Sequence, residues 1–209
     1  MWLVPSRSRP HRLARLIQIG VSQSVIVGLD EDDPMLGGYL TLAAPDNWLF
    51  EVSPRRPLSG IYNDWFRAMP DLGWYGFLAD DVEPETESWE QALIETAGRD
   101  GLAFGDDGIN GANHAAHFVL GGDLAREVGF LCLPGLHRLY IDTAWCDIAR
   151  ERGVFRYRPD VKLTHAHFSN HRAFLDATYQ KPMRDADRIV YKTWRGLDDH
   201  ASRKHKEQP

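Results

Sequence analysis

The sequence predicts an α/β fold: a single Rossmann-like domain over residues 1–200 with a mostly parallel central sheet flanked by helices, then a frayed basic tail at 201–209. Three observations predict it. The chain opens as strand, loop, helix, strand and acidic loop, ending at Pro34. Strand and helix patterns then alternate as far as Gly98. Acidic residues collect where the expected strands end, the edge at which open α/β sheets bind ligands.

The elements follow in order. Trp2-Leu3-Val4 is a short apolar strand that stops at Pro5, and SRSRP is a polar loop. Pro10 opens a helix, because the first helical N–H has no partner to lose. Leu13, Leu16 and Ile17 recur at helical spacing, and Gly20 ends the run. Residues 24–29, SVIVGL, are a β-branched strand that runs into Asp30, Glu31, Asp32 and Asp33. A strand at 48–52, a helix at 58–69 and a strand at 74–79 come next. That last strand ends in Asp80 and Asp81 and leaves through a polar turn. A helix then runs from Pro84, with Trp89, Leu93 and Ile94 on one face and Gly98 as its stop.

The second half is less regular. Residues 101–108 read as a strand with an acidic end. Residues 117–130 read as a strand, a Gly-Gly turn and a short helix capped by Asp123. A helix covers 139–153 with Ile141, Trp145 and Ile148 toward the core, a strand covers 161–168, and a last helix covers 185–200. The stretch 105–122 is rich in Gly and Asn and lacks periodicity, which predicts a mobile loop on the acceptor side of a site.

Composition excludes several classes. The 209 residues are 43% hydrophobic and 26% charged, as in ordinary globular proteins. No apolar run approaches the ~20 residues that span a bilayer, so no membrane insertion is expected. The N-terminus carries its charge after its apolar residues, unlike a secretory signal. Two cysteines make no disulfide framework, and a cytoplasmic location fits. A net charge of −6 argues against coating nucleic acid. The motifs GxxxxGK[ST], GxGxxG, HExxH and GxSxG are absent.

Four clusters can carry chemistry. Asp30 to Asp33 is either a solvated acidic turn or a reader of a ligand's hydrogen-bond donors. Asp80-Asp81 either prepares the next helix or holds a hard cation, magnesium or manganese, with positions left for phosphate oxygens. Asp142, with Asp147 on the same helix, either favours the helix dipole or acts as a general base. His165 and His167 share one face of a strand, a spacing suited to a metal although HxH alone is a weak motif.

Taken in order, VPSRSRP, LADDVEPETESWEQAL, HRLYIDTAWCDIARERG and YRPDVKLTHAHF resemble a compact GT-A glycosyltransferase of the family-2-like kind often found in phages. The resemblance runs from Val4 to about Trp194. It implies a metal-dependent transferase moving a sugar from a nucleotide sugar, a UDP-sugar, to an acceptor hydroxyl with inversion. It implies that Pro5, Ser6, Arg7 and Arg9 lie against the nucleotide and that Asp30 or Asp32 contacts the uracil or ribose. Asp81 is then the Mn2+ or Mg2+ ligand with Asp80 as its helper, and His165 or His167 completes the metal shell. Asp142 is then the base. Ala79 stands where a strict Asp-x-Asp has its first acid.

Three other readings compete. A nucleotidyltransferase needs a Gly-rich loop after the first strand, and SRSRP has no Gly. A catalytically degenerate nucleotide- or sugar-binding module is kept alive by Ala79. A purely structural α/β protein gains little from gathering like charges at successive element ends. Acceptors left open are a glycan, a lipid-linked sugar, a protein or a modified DNA base. For the last, Arg and His residues near 137–138, 152–158 and 171–172 offer a basic rim or merely a mixed-charge surface.

Overall fold

A computed structural model describes residues 1–165 and 184–197. The strands are β1 (Trp2–Ser6), β2 (Val25–Asp30), β3 (Trp48–Ser53), β4 (Trp74–Phe77), β5 (Val82–Pro84), β6 (Leu102–Asp106), β7 (Phe118–Gly121) and β8 (Phe155–His165). The helices are α1 (Pro10–Ile19), α2 (Leu36–Leu40), α3 (Leu58–Ala68), α4 (Trp89–Ala97), α5 (Gly122–Val128), α6 (Ile141–Glu151) and α7 (Arg184–Trp194). The strands form one sheet in the order β3-β2-β1-β4-β7-β6-β8-β5. Four of the seven pairings are parallel, and β7 runs antiparallel between β4 and β6.

The apolar runs form the middle of the sheet because both of its faces are covered. Side chains alternate between faces along β1: Leu3 joins Trp65 of α3 and Trp145 of α6 in one core. Trp2 and Val4 point the other way, to Leu13 and Leu16 of α1 and Trp89 and Leu93 of α4. Pro5 extends β1 rather than stopping it. Its register partner is Gly28 of β2, and the ladder to β4 ends at Leu3 and Phe77, so its missing N–H is not needed on that side.

The Gly-Gly pair at 121–122 is not a turn. Gly121 has an ordinary φ of −63° at the end of β7. A Cβ there would lie 2.3 Å from the Arg99 carbonyl, and one on Gly122 would lie 2.0 Å from the Leu72 carbonyl oxygen. Close backbone approach, not conformation, requires both glycines. Asp123 makes no side-chain cap on α5; it pairs with Arg99 and Arg126.

Three further expectations change. The polar turn after Asp81 contains β5, which pairs antiparallel with β8. Strand β8 begins at Phe155, before the expected 161, and its register against β6 jumps from Gly105–Arg158 to Asp106–Lys162. The stretch 105–122 is tied at both ends by β6 and β7 and carries a short 3-10 turn at Gly111–Asn113. Asp107 orders its start by accepting the N–H groups of Ile109 and Asn110. The last helix ends at Trp194, short of the expected 200, and the tail at 201–209 and the 171–172 part of the basic rim lie outside the described residues.

Candidate functional site

The carboxyl ends of β1, β2 and β4 lie along one edge of the sheet, because these strands are parallel. Ser6 and the loop after it meet Asp80 and Asp81 there. The Arg9 guanidinium spans both acids, with Nη2 2.6 Å from Asp80 and Nη1 2.8 Å from Asp81. A hydrogen-bond relay backs Asp80: the Arg9 N–H donates to Tyr39 Oη at 2.8 Å, Tyr39 meets Ser6 Oγ at 2.7 Å, and Ser6 donates to Asp80. Both acids are buried. Burial pushes the Asp80 carboxyl up to about 6, against the pull of Arg9 and with the repulsion of Asp81. Burial acts on Asp81 too, but hydrogen bonding to His165, helped by the charges of His165 and Arg9, holds it well below the usual carboxylate range. Two adjacent buried acids are thus split into one that titrates near neutrality and one that stays anionic.

Asp81 and His165 are brought together by strand pairing. Val82, the residue after Asp81, stands opposite His165 in the β5–β8 ladder, and His165 Nε2 lies 3.3 Å from Asp81 Oδ1. A carboxylate oxygen and an imidazole nitrogen this close would both be available to a hard divalent cation. His117 of the 105–122 stretch packs edge-on to His165, ring centroids 4.7 Å apart. Among the described residues its buried Nε2 has no hydrogen-bond partner. Burial, then the charge of His165, lowers its pKa to about 3, so the ring is neutral at pH 7. An orphaned buried imidazole nitrogen costs about 1–3 kcal/mol unless something meets it. An anionic carboxylate, an adjacent imidazole and an unmet nitrogen fit a divalent cation. Among the described residues no three His, Cys, Asp or Glu side chains form a group that could hold a metal ion by themselves.

Arg7 forms a separate cluster with the acids after β2. Its Nη1 lies 2.7 Å from Asp30 and 2.6 Å from Asp32. Asp33 binds the Ser8 N–H at 2.6 Å and the Met35 N–H at 2.8 Å, which holds this loop against the one after β1.

Asp142 lies in the first turn of α6 and pairs with His114, with Nε2 2.8 Å from Oδ2. The other ring nitrogen, Nδ1, lies 3.7 Å from Cys146 Sγ, which also accepts the Ala115 N–H. Arg150, one turn further along, donates to the Asn113 carbonyl. Residues 142, 146 and 150 share a helix face by their spacing of four, and each holds part of segment 113–115. Hydrogen bonds to Asp142 and Cys146 raise the His114 pKa to about 10, so it is charged at pH 7. Asp142 is pushed up by burial but held below the usual carboxylate range by His114.

The structure therefore gathers Ser6, Arg9, Asp80, Asp81 and His165 into one cluster, and Arg7, Asp30 and Asp32 into a second. Pro5 lies at the end of β1. Asp142 lies in a third cluster, and the charges of both Asp81 and Asp142 act on His117. His167 lies outside the described residues. The sequence reading missed Tyr39, His114 and His117. For the two histidines the available signal was HAAH itself, two imidazoles three residues apart just before a strand.

The chain matches no protein-family model and no curated protein. Solved structures are similar at low identity. A mannosyltransferase, PcManGT from Pyrobaculum calidifontis in complex with GDP-Man and Mn2+, aligns at TM-score 0.58 and 12% identity over 100% of this chain and 64% of that one. TarS 1–349 from S. aureus aligns at 0.52 and 11% over 78% and 59%. A putative nucleotide-diphospho-sugar transferase from Desulfovibrio desulfuricans G20 aligns at 0.51 and 9% over 94% and 97%. The chain shares their fold. It spans less than two thirds of the length of the first two, 64% and 59%.

Proposed function

We propose that this protein is a metal-dependent glycosyltransferase that moves a sugar from a nucleotide sugar to an acceptor hydroxyl. The observation that carries the reading is the Asp81–His165 pair beside the unmet Nε2 of His117, at the carboxyl edge of a sheet whose fold is shared with nucleotide-sugar transferases. Asp81 and His165 would hold the cation, manganese or magnesium, which would supply positive charge to offset that building on the diphosphate leaving group. Arg7 and the loop from Pro5 to Arg9 lie on the nucleotide side, with Asp30 and Asp32 toward base and ribose. Asp142 accepts the proton of the acceptor hydroxyl as its oxygen bonds the anomeric carbon and the bond to the diphosphate breaks. One displacement with one base inverts the anomeric centre. The finer assignment, a UDP-sugar donor and a cytoplasmic family-2-like enzyme of the kind carried by phages, rests on the motifs quoted above. The acceptor classes are a glycan, a lipid-linked sugar, a protein or a modified DNA base. Among the described residues no helix is long and apolar enough to cross a membrane.

A second reading, a degenerate nucleotide- or sugar-binding module, is favoured by one observation: Arg9 already neutralises the acid pair. Calorimetric titration of UDP and of GDP, with and without Mn2+, separates the two, with Asp81→Ala alongside. Binding that requires Mn2+ and is lost in the variant, followed by turnover of a matching nucleotide sugar, supports the transferase. Equal binding without metal and in the variant removes Asp81 from the metal site and leaves the binding module.

A further inference from the structure

We propose that His114 is a positioning residue that keeps Asp142 ionised and aimed as the proton acceptor of the transfer; the inference rests on the transferase reading above. The α6 face that carries Asp142 also carries Cys146 and Arg150, and all three grip segment 113–115. His114 is thereby held at both ring nitrogens, Nε2 on Asp142 and Nδ1 toward Cys146. A ring fixed at both ends cannot turn away, so it sets the rotamer of Asp142 as well as its charge. Asp142 Oδ1 accepts its neighbour's N–H, from Thr143 at 2.7 Å, which fixes the other side of the carboxylate. The Asp142 side chain nevertheless keeps 37% of its surface exposed, so an acceptor can reach it.

The charged surroundings support the assignment. His117 is neutral, and burial pushes the Cys132 thiol well up, so neither carries a charge beside Asp142 at pH 7. Cys146 takes the Nδ1 side of the ring, Asp107 is engaged by its own loop, and Arg150 is turned to Asn113. His114 is the cation in direct contact with Asp142. A carboxylate beside such a cation is a weak base in the resting state. It is also never lost to protonation over the working range, and its ordered geometry removes a search from the transition state.

The test has two arms. Carbon NMR of the Asp142 carboxyl and nitrogen NMR of the His114 ring, followed against pH in the full chain, read the pair without any substrate. In His114→Gln, which keeps a donor but no charge, the Asp142 titration rises by about 1–3 pH units. In Asp142→Asn, the His114 titration falls, a reciprocal check that does not depend on how His114→Gln folds. The second arm is the pH dependence of kcat/KM for nucleoside diphosphate release from UDP-glucose, UDP-N-acetylglucosamine and GDP-mannose. The acidic limb of wild type moves upward in His114→Gln by the same interval as the NMR titration. Turnover with an unmoved limb overturns the role of His114 alone, as does an Asp142 titration indifferent to His114. Absence of turnover with every donor overturns the transferase reading, and the role of His114 with it.

Discussion

The Arg9 guanidinium lies 2.6 Å from Asp80 and so joins the loop after the first strand to the end of the fourth. Its other nitrogen reaches Asp81, and the two buried acids share this partly buried cation. Arg9→Gln leaves them facing each other. Breaking a buried pair costs about 3–5 kcal/mol, and urea denaturation at neutral pH should show a loss of that size. Asp80 already titrates at about 6, a raised folded pKa, so its ionised form is the strained one. The loss in Arg9→Gln should therefore shrink as pH falls and Asp80 takes a proton. A variant with the wild-type urea midpoint would show that the acids are neutralised by something else.

His114 predicts a loss of stability on the basic side. Its folded pKa, about 10, lies above the ordinary value of 6.5. A cationic group with a raised folded pKa contributes stability that is fully present below 6.5 and lost as pH rises through 10. The urea midpoint should fall across this window in wild type. Asp142→Asn should flatten that part of the curve, and an unchanged slope would remove the ion pair from the account.

Gly122 predicts a steric failure with an internal control. The Cβ of Gly122→Ala would lie 2.0 Å from a backbone oxygen, and neither chain can yield without separating α5 from the loop at Leu72. A loss of about 3 kcal/mol or more is expected in thermal unfolding. Gly37→Ala meets nothing within 4 Å and lies inside α2, so it should be neutral or gain up to about 1 kcal/mol.

Asp187 predicts a local change. This fully buried carboxylate of α7 accepts the N–H groups of His137, Arg138 and Leu139 at 2.7, 2.9 and 2.8 Å. They belong to the segment that leads into α6. Asp187→Ala orphans three donors at about 1–3 kcal/mol each. Hydrogen exchange of those three amides should accelerate well before that of the α6 amides. Uniform acceleration would mean that the contact serves global stability alone.

The first half of the fold was legible because its central strands are covered on both faces and read as unbroken apolar runs. Helix α1 was legible through Pro10 and the spacing of Leu13 and Leu16, and α3 as a segment at 58–69 between two strand patterns. β5 was hidden because Val-Glu-Pro is too short for any period. The first half of β8 was hidden because FRYRPD is polar, half-buried and bent by its register jump. At the site, the acids were visible as residues and their partners were not. Arg9 reaches Asp81 across 72 positions of sequence, and His114 meets Asp142 across 28. No local pattern encodes either meeting. The 105–122 stretch looked mobile because Gly and Asn break periodicity, while what holds it is one face of a helix further along the chain.

The pairing of Val82 with His165 has a mechanical consequence. β5 is the outermost strand of the sheet, the place where fraying begins. Asp81 precedes one strand of that edge and His165 ends the other. Any ligand that met both would act as a rivet through the hem of the sheet, and its arrival should be felt as slower amide exchange along β5 and β8.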